Sequence, residues 1–387
     1  MRRVQDAPIV GNLEPPVRKR EESLCFKQIE ILSDRNRKRC FLTCRAKLHS
    51  ATRSVFANTT TLGCAIFRQF SHQKQKIMTL LPPTPAQQKR IDKELPPDPE
   101  MRKQDIRTLR EWLSKQPHLP KHIDNDKLEK FLYNCKNSVE RCKLILERYY
   151  TARTSLPEFF AVRDPLSRDI QDSCDAIDYF VLPSLTKEGY RITISRLRNI
   201  DPEKFSFQAI VRRILMVLDI RLMEESCLSN IMVIDLEGCS AAHLAKVSPT
   251  LSIVRRASMA MQDSMPFRLF SIHCLHAPTF ITNILILFSF LKEKLINKVY
   301  LHNGGGEELH AYMDKDILPN EWGGKAGTFQ ELNTAWQEKI KKKRDWFLQD
   351  EKLSRTDENA RLPESKKSSL LKELEGMQGS FRKLNID

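Results

Sequence analysis

The stretch NIMVIDLEG, residues 230–238, constrains the fold more than any other part of this chain. Ile231, Met232, Val233 and Ile234 follow one another without a polar residue, and the run ends at Asp235 and Gly238. Successive side chains of a strand point to opposite faces, so a strand built from this run is apolar on both. Both faces must then be covered, which is the position of a central, parallel-type strand with helices on either side.

The flanking sequence agrees with that reading. YRITISRL (190–197) sets Ile192 and Ile194 against Thr193 and Ser195, the alternation of a half-buried strand. SFQAIVRRILMVLDIRLME reads as a long amphipathic helix, and HLAKVSPTLSIVRRASMAMQDSMP reads as helices. FRLFSIHCLHAP reads as a strand. KVYLHN is a short strand, followed by a Gly-rich turn and a helix from Glu307. Helices and strands in alternation predict an α/β domain over residues 158–328 with a mixed, mostly parallel sheet.

Upstream, residues 78–157 read as a helical lobe of three or four short helices. Ile106, Leu109 and Leu113 recur at helical spacing, with Pro117 and Pro120 beyond the helix end. Asp residues open the DNDKLEKFLYNC helix, and Ser138 caps SVERCKLILERYYTAR, which buries Val139, Cys142, Ile145, Leu146 and Tyr149. LPPTPAQQKRIDKELPPDPE, just before, reads as a proline-rich approach with little helix capacity. Residues 329–348 read as a helix, and the rest of the 329–387 region as a loose charged tail.

Charge divides the chain differently. Of the formal +15, residues 1–77 carry 16 Lys+Arg against 6 Asp+Glu, and the remaining residues 48 against 43. The basic balance therefore reports an extension, not a basic binding face, and nucleic acid is not an expected partner. Residues 1–77 read as disordered, and Met78 is a candidate second start. The ten cysteines show no disulfide or zinc spacing; Cys135, Cys142, Cys239 and Cys274 read as core residues. A reducing, cytoplasmic setting is expected.

Catalytic patterns are missing from the sequence: it holds no G-x-S-x-G, no P-loop and no H-E-x-x-H. NGGGEE at 303–308 lacks the Lys-Ser/Thr of a phosphate cradle and reads as a flexible turn. Asp235 and Glu237 sit at a strand end without a nucleophile or metal set near them in sequence, and His273 and His276 read as structural. No enzyme is expected.

FITNILILFSFLKEKL (280–295) is the most apolar stretch. It is too short to span a bilayer, which takes roughly 20 apolar residues. Ile281, Ile284, Leu285, Phe288 and Leu291 form one helical stripe, while Phe280, Leu287 and Phe290 lie off it. A helix apolar nearly all round is buried on both sides or faces lipid.

IDLEGCSAAHLAKVSP (234–249), MQDSMPFRLFSIHCLHAPTF (261–280), FLKEKLINKVYLH (290–302) and DILPNEWGGKAG (316–327) occur in that order. Together they resemble the CRAL-TRIO lipid-binding family, in its alpha-tocopherol transfer protein-like and retinaldehyde-binding branch, over about residues 85–345. The resemblance implies a soluble, monomeric carrier that binds one hydrophobic molecule, with no cofactor, and associates transiently with membranes. It implies a pocket lined from Ile192, Ile194, Val233, Leu269, Phe270 and Ile272, with both strand faces kept open as candidates. It places a gate helix at Phe280, Ile281, Ile284, Leu285, Leu287, Phe288 and Leu291. It puts Arg268, Lys294 and Lys298 at basic positions that contact phosphoinositide headgroups in some members. Where many members carry FLRAR this chain has FLYNC, so Tyr133 and Cys135 replace two arginines. The competing expectation is a lipid-sensing interaction module that moves no cargo.

Overall fold

The computed structural model describes residues 78–247, 251–277, 293–363, 370–372 and 374. The expected basic extension and the whole of Phe280–Leu291 lie outside the described residues, and of Lys294 the backbone alone is described.

The chain enters through four helices: α1 (Pro85–Glu94), α2 (Pro99–Ser114), α3 (Asn125–Asn134) and α4 (Val139–Ser155). Helix α1 corrects the expectation for the proline-rich approach. Thr84 and Gln87 form a reciprocal capping box, and Pro85 occupies the first turn, where its missing N–H costs nothing. Asp98, Asp124 and Ser138 cap the next three helices, each accepting a bond from a backbone N–H three residues on. Ile106, Leu109, Leu128, Phe131, Leu132, Cys142, Leu146 and Tyr149 close the core between them, while Val139 is only partly buried.

Past the short turns α5 (Pro157–Phe160) and α6 (Arg168–Ala176), the chain forms β1 (Ile177–Leu185) and then β2 (Tyr190–Leu197), β3 (Ser229–Asp235), β4 (Leu269–Leu275) and β5 (Val299–Leu301). The sheet order is sequential, with β1 antiparallel to β2 and the other pairs parallel. This is the expected mixed, mostly parallel α/β domain, with β3 at its centre. Neither α6 nor β1 was expected; Pro183 interrupts the β1 pattern, and the register breaks between Val181 and Leu185.

The crossover helix α7 (Phe207–Glu224) is buried nearly all round, not amphipathic as expected. It lies between two cores: Leu215 and Leu222 belong to the helical lobe, and Ile210, Val217 and Ile220 to the sheet. For the same reason β2 is not half-buried: Arg191 to Ile194 are all buried. The chain continues through α8 (Ala241–Val247) and α9 (Leu251–Ser258), which runs into a π-helical turn at Met259–Asp263. Beyond α10 (Glu293–Ile296) and β5, the helix expected from Glu307 is a 3₁₀ turn, Gly306–Ala311. Its glycine is a packing requirement, since a Cβ on Gly306 would stand 2.0 Å from the Trp322 ring.

Residues 329–387 hold two helices, α11 (Phe329–Lys342) and α12 (Arg344–Leu353). The expectation of a loose tail fails for residues 349–361. Asp350 of α12 accepts from Arg163 at 2.5 Å, and the Asp357 N–H donates to the His118 carbonyl at 2.9 Å. Asp219 of α7 accepts from Tyr149 at 2.9 Å, from Arg153 at 2.5 Å and from Arg163. This buried network ties the helical lobe, α7 and α12 together. Burial alone would push the Asp350 carboxyl up, but Arg153, Arg163 and Lys127 outweigh it and hold it at about 2.

Candidate functional site: the α7 face of the sheet

The two faces of the sheet are told apart by two contacts. Arg221 of α7 donates to the Thr193 hydroxyl at 3.2 Å, so odd-numbered side chains of β2 face α7. Asn333 of α11 donates to Asp178 at 2.8 Å, and Asp178 pairs with Arg196, so even-numbered side chains of β2 face α11. Register carries this across: Ile194 stands beside Val233, Thr193 beside Met232, and Ser195 beside Ile234. Ile272 lies next to Met232, and His273 next to Val233.

On the α11 side, packing is complete. Ile192, Ile194, Ile231 and Val233 share a core with Leu309, Leu318, Trp322 and Trp336, and Val233 is 0% exposed. The α7 side differs. Met232 and Ile234 sit on the central strand of the sheet, yet both are only partly buried, as is Ser195 beside them. Central-strand residues of a two-sided α/β sheet are ordinarily sealed on both faces. Here α7 lies over the β2 part of the face, and Met232 and Ile234 of β3 keep part of their surface exposed. On α7 itself Ile214, packed against the sheet core, is also partly buried. Such an apolar and incompletely packed face suits a hydrophobic ligand, because ligand sites are concave and mainly apolar.

The expected pocket residues therefore separate. Ile192, Ile194 and Val233 point into the sealed core on the α11 side. Ile272 lies on the α7 side, fully buried next to Met232. Leu269 is partly buried and stands at the register shift opening β4. Phe270 is 46% exposed, with its ring 4.5 Å from that of Tyr190, on the outside of the molecule. Met232, Ile234, Ser195 and Ile214, on or beside this face, were not among the expected pocket residues. Alternation along β3 held the signal, but choosing between its faces needed the partner helices.

Arg268 and Lys298 converge on the start of β4. Lys298 donates to the Leu269 carbonyl at 3.2 Å, with its ammonium 6.0 Å from the Phe270 ring centre. Arg268 donates to the Cys227 carbonyl at 3.3 Å, which also accepts from Tyr133 at 3.3 Å. Burial pushes the Arg268 guanidinium down, against the raising effects of Tyr133 and Cys227. Its Nη1 is buried and takes no hydrogen-bond partner among the described residues. Tyr133, at the position of a family arginine, thus shares an acceptor with Arg268 and adds no cation.

The histidines fill a different place. His273 lies between Ser271 and His302, at 3.0 Å from each, and His302 contacts Glu308 at 3.1 Å. Burial, with His302 second, lowers the His273 imidazole to about 4. No helix among the described residues is long and apolar enough to cross a membrane.

Comparison with known proteins agrees with this architecture. Residues 98–170 match the Pinta-like UBA domain model, and residues 178–324 the CRAL/TRIO domain model. The alpha-tocopherol transfer protein-like protein of Mus musculus is 30% identical over 246 residues, covering 62% of this chain and 70% of that protein. Its Homo sapiens counterpart is 29% identical over 262 residues, covering 66% and 75%. Clavesin-1 of Xenopus laevis is 28% identical over 239 residues, covering 60% and 70%. With a helical lobe leading into a five-stranded mixed sheet, the CRAL/TRIO model matched over residues 178–324 and a relative 30% identical over 70% of its own length, the chain belongs to the CRAL/TRIO family.

Proposed function

We propose that this protein is a carrier that holds one hydrophobic molecule against the α7 face of the sheet and exchanges it at membranes. The observation that carries the reading is the unequal burial of β3: Ile231 and Val233 are sealed on one side, Met232 and Ile234 are not on the other. The name borne by the human and mouse relatives, which speaks of tocopherol transfer, supports a cargo of tocopherol-like, retinoid-like or other lipid character.

In this reading Phe280–Leu291 is the movable cover. Shut, it lies on the ligand; open, its Ile281, Ile284, Leu285, Phe288 and Leu291 stripe enters the membrane interface. Burying five or six such side chains contributes at most about 10 kcal/mol. The packing given up on opening offsets most of that, which keeps association transient and suits a protein that works from the cytoplasm as a monomer. Arg268, Lys294 and Lys298 then meet anionic headgroups, phosphoinositides among them, each cation contributing about 1 kcal/mol near such a surface. Catalysis plays no part in the proposal, and no cofactor is needed.

The test is transfer of a fluorescent tocopherol, retinoid or phospholipid from donor to acceptor liposomes by the purified full chain alone. Saturable transfer that falls severalfold in Phe288→Asp and Leu291→Asp supports the carrier. Binding without transfer supports the lipid-sensing module instead.

A further inference from the structure

We infer that Asp235, Glu237 and His276 form a binding site for a divalent cation of the zinc class. The three residues come from the ends of two neighbouring strands, and each presents one donor atom, all within 4.8 Å of one another. Asp235 closes β3, Glu237 follows in the turn, and His276 is the residue after β4. Asp235 and His276 are 41 residues apart in the chain, which is why Asp235 and Glu237 look solitary in the sequence.

The donor chemistry selects the ion. An imidazole nitrogen among the donors favours zinc, and cobalt(II) in its place, over calcium and magnesium, which take oxygen alone. His276 Nδ1 stands 2.8 Å from Asp235 Oδ1. Two ligands held at about 2.0–2.1 Å on a tetrahedral ion sit only slightly farther apart than this, so a small rotation admits the metal. On binding, the Nδ1 proton leaves and its bond to Asp235 is replaced by coordination of both groups.

Asp235 is the buried member of the set. Its side chain is 2% exposed, and Oδ1 takes both hydrogen bonds, from His276 and from the Glu237 N–H at 3.1 Å. Oδ2 is paired with the Arg196 guanidinium, whose Nε stands 4.0 Å away. Arg196 makes its own bond to Asp178, at 2.9 Å. Asp235 is buried, His276 partly buried and Glu237 exposed, so the set runs from the interior to the surface.

The ligands stand on fixed backbone. The His276 N–H donates to the Gly304 carbonyl at 3.0 Å, and the Ala277 N–H to the His302 carbonyl at 2.9 Å. A bound ion would fasten the carboxyl end of β3 to that of β4, a few residues before Phe280. The inference stands apart from the carrier reading and survives its failure.

The test is titration of metal-free full-length protein with cobalt(II), read by visible absorption, followed by displacement with zinc. One equivalent with a tetrahedral signature is expected, and Glu237→Gln and His276→Ala should each weaken it at least about tenfold. Glu237 is exposed, so its amide variant folds normally. Absence of saturable uptake overturns the site. So does uptake unchanged in both variants, which would place the ion elsewhere on the chain.

Discussion

Arg221 and Thr193 are joined across the α7–sheet interface by a 3.2 Å hydrogen bond, and this contact decides which side of the sheet is open. From it follow the sealed face carrying Ile194 and Val233 and the incompletely packed face carrying Met232 and Ile234. Substitutions on the two faces should therefore separate fold stability from ligand binding.

Ile234→Trp adds a large ring to the open face. Adding volume to a filled core costs about 1–3 kcal/mol. Where space exists the cost is smaller, and the ring takes the place of a ligand. Denaturant titration should show a loss under about 1 kcal/mol, while binding of a fluorescent hydrophobic ligand weakens at least about tenfold.

Ile194→Ala is the counterpart on the sealed face. It should destabilise the fold by about 2–5 kcal/mol, since apolar area returns to water and a residual cavity remains. Ligand affinity of the folded fraction should stay within about twofold of wild type. Weaker ligand binding by Ile194→Ala than by Ile234→Trp would assign the faces the other way round.

Much of this architecture is written in local pattern. The apolar run of β3, the Asp and Ser caps of the helical lobe and the α/β alternation all depend on neighbours in sequence. Helix α1 escaped because prolines dominate its surroundings, although Thr84 and Gln87 spell a capping box. Helix α7 looked amphipathic because Arg213, Asp219 and Arg221 read as surface residues. All three are buried and hold partners from other elements: Arg213 donates to the Ile177 carbonyl, Asp219 binds Arg153 and Arg163, and Arg221 binds Asn230. The open face of the sheet and the Asp235–His276 pairing were hidden for one reason. Both are set by contacts between distant segments, which periodicity does not encode.

Asp219→Asn tests how the helical lobe is held. The carboxylate answers two buried guanidinium groups and the Tyr149 hydroxyl. Removing its charge leaves both arginines under-compensated, and a loss of about 3–5 kcal/mol is expected from chemical denaturation.

His273 predicts a pH dependence. With its pKa lowered to about 4, against an ordinary value of about 6.5, the folded protein leaves it neutral where the unfolded chain binds a proton. Stability should fall as pH drops from about 6.5 towards 4, by at most about 2 kcal/mol at pH 5. His273→Gln should flatten that part of the stability profile in denaturant titrations at pH 7 and pH 5. An unchanged slope would assign the dependence to other groups.

The most direct measurement is native mass spectrometry of the full chain after exposure to a panel of tocopherols, retinoids and phospholipids, compared with Ile234→Trp. The carrier reading predicts one hydrophobic molecule per folded chain in the wild type and almost none in the variant. A folded wild-type chain that retains no member of the panel, or an Ile234→Trp chain that retains as much as wild type, would contradict it.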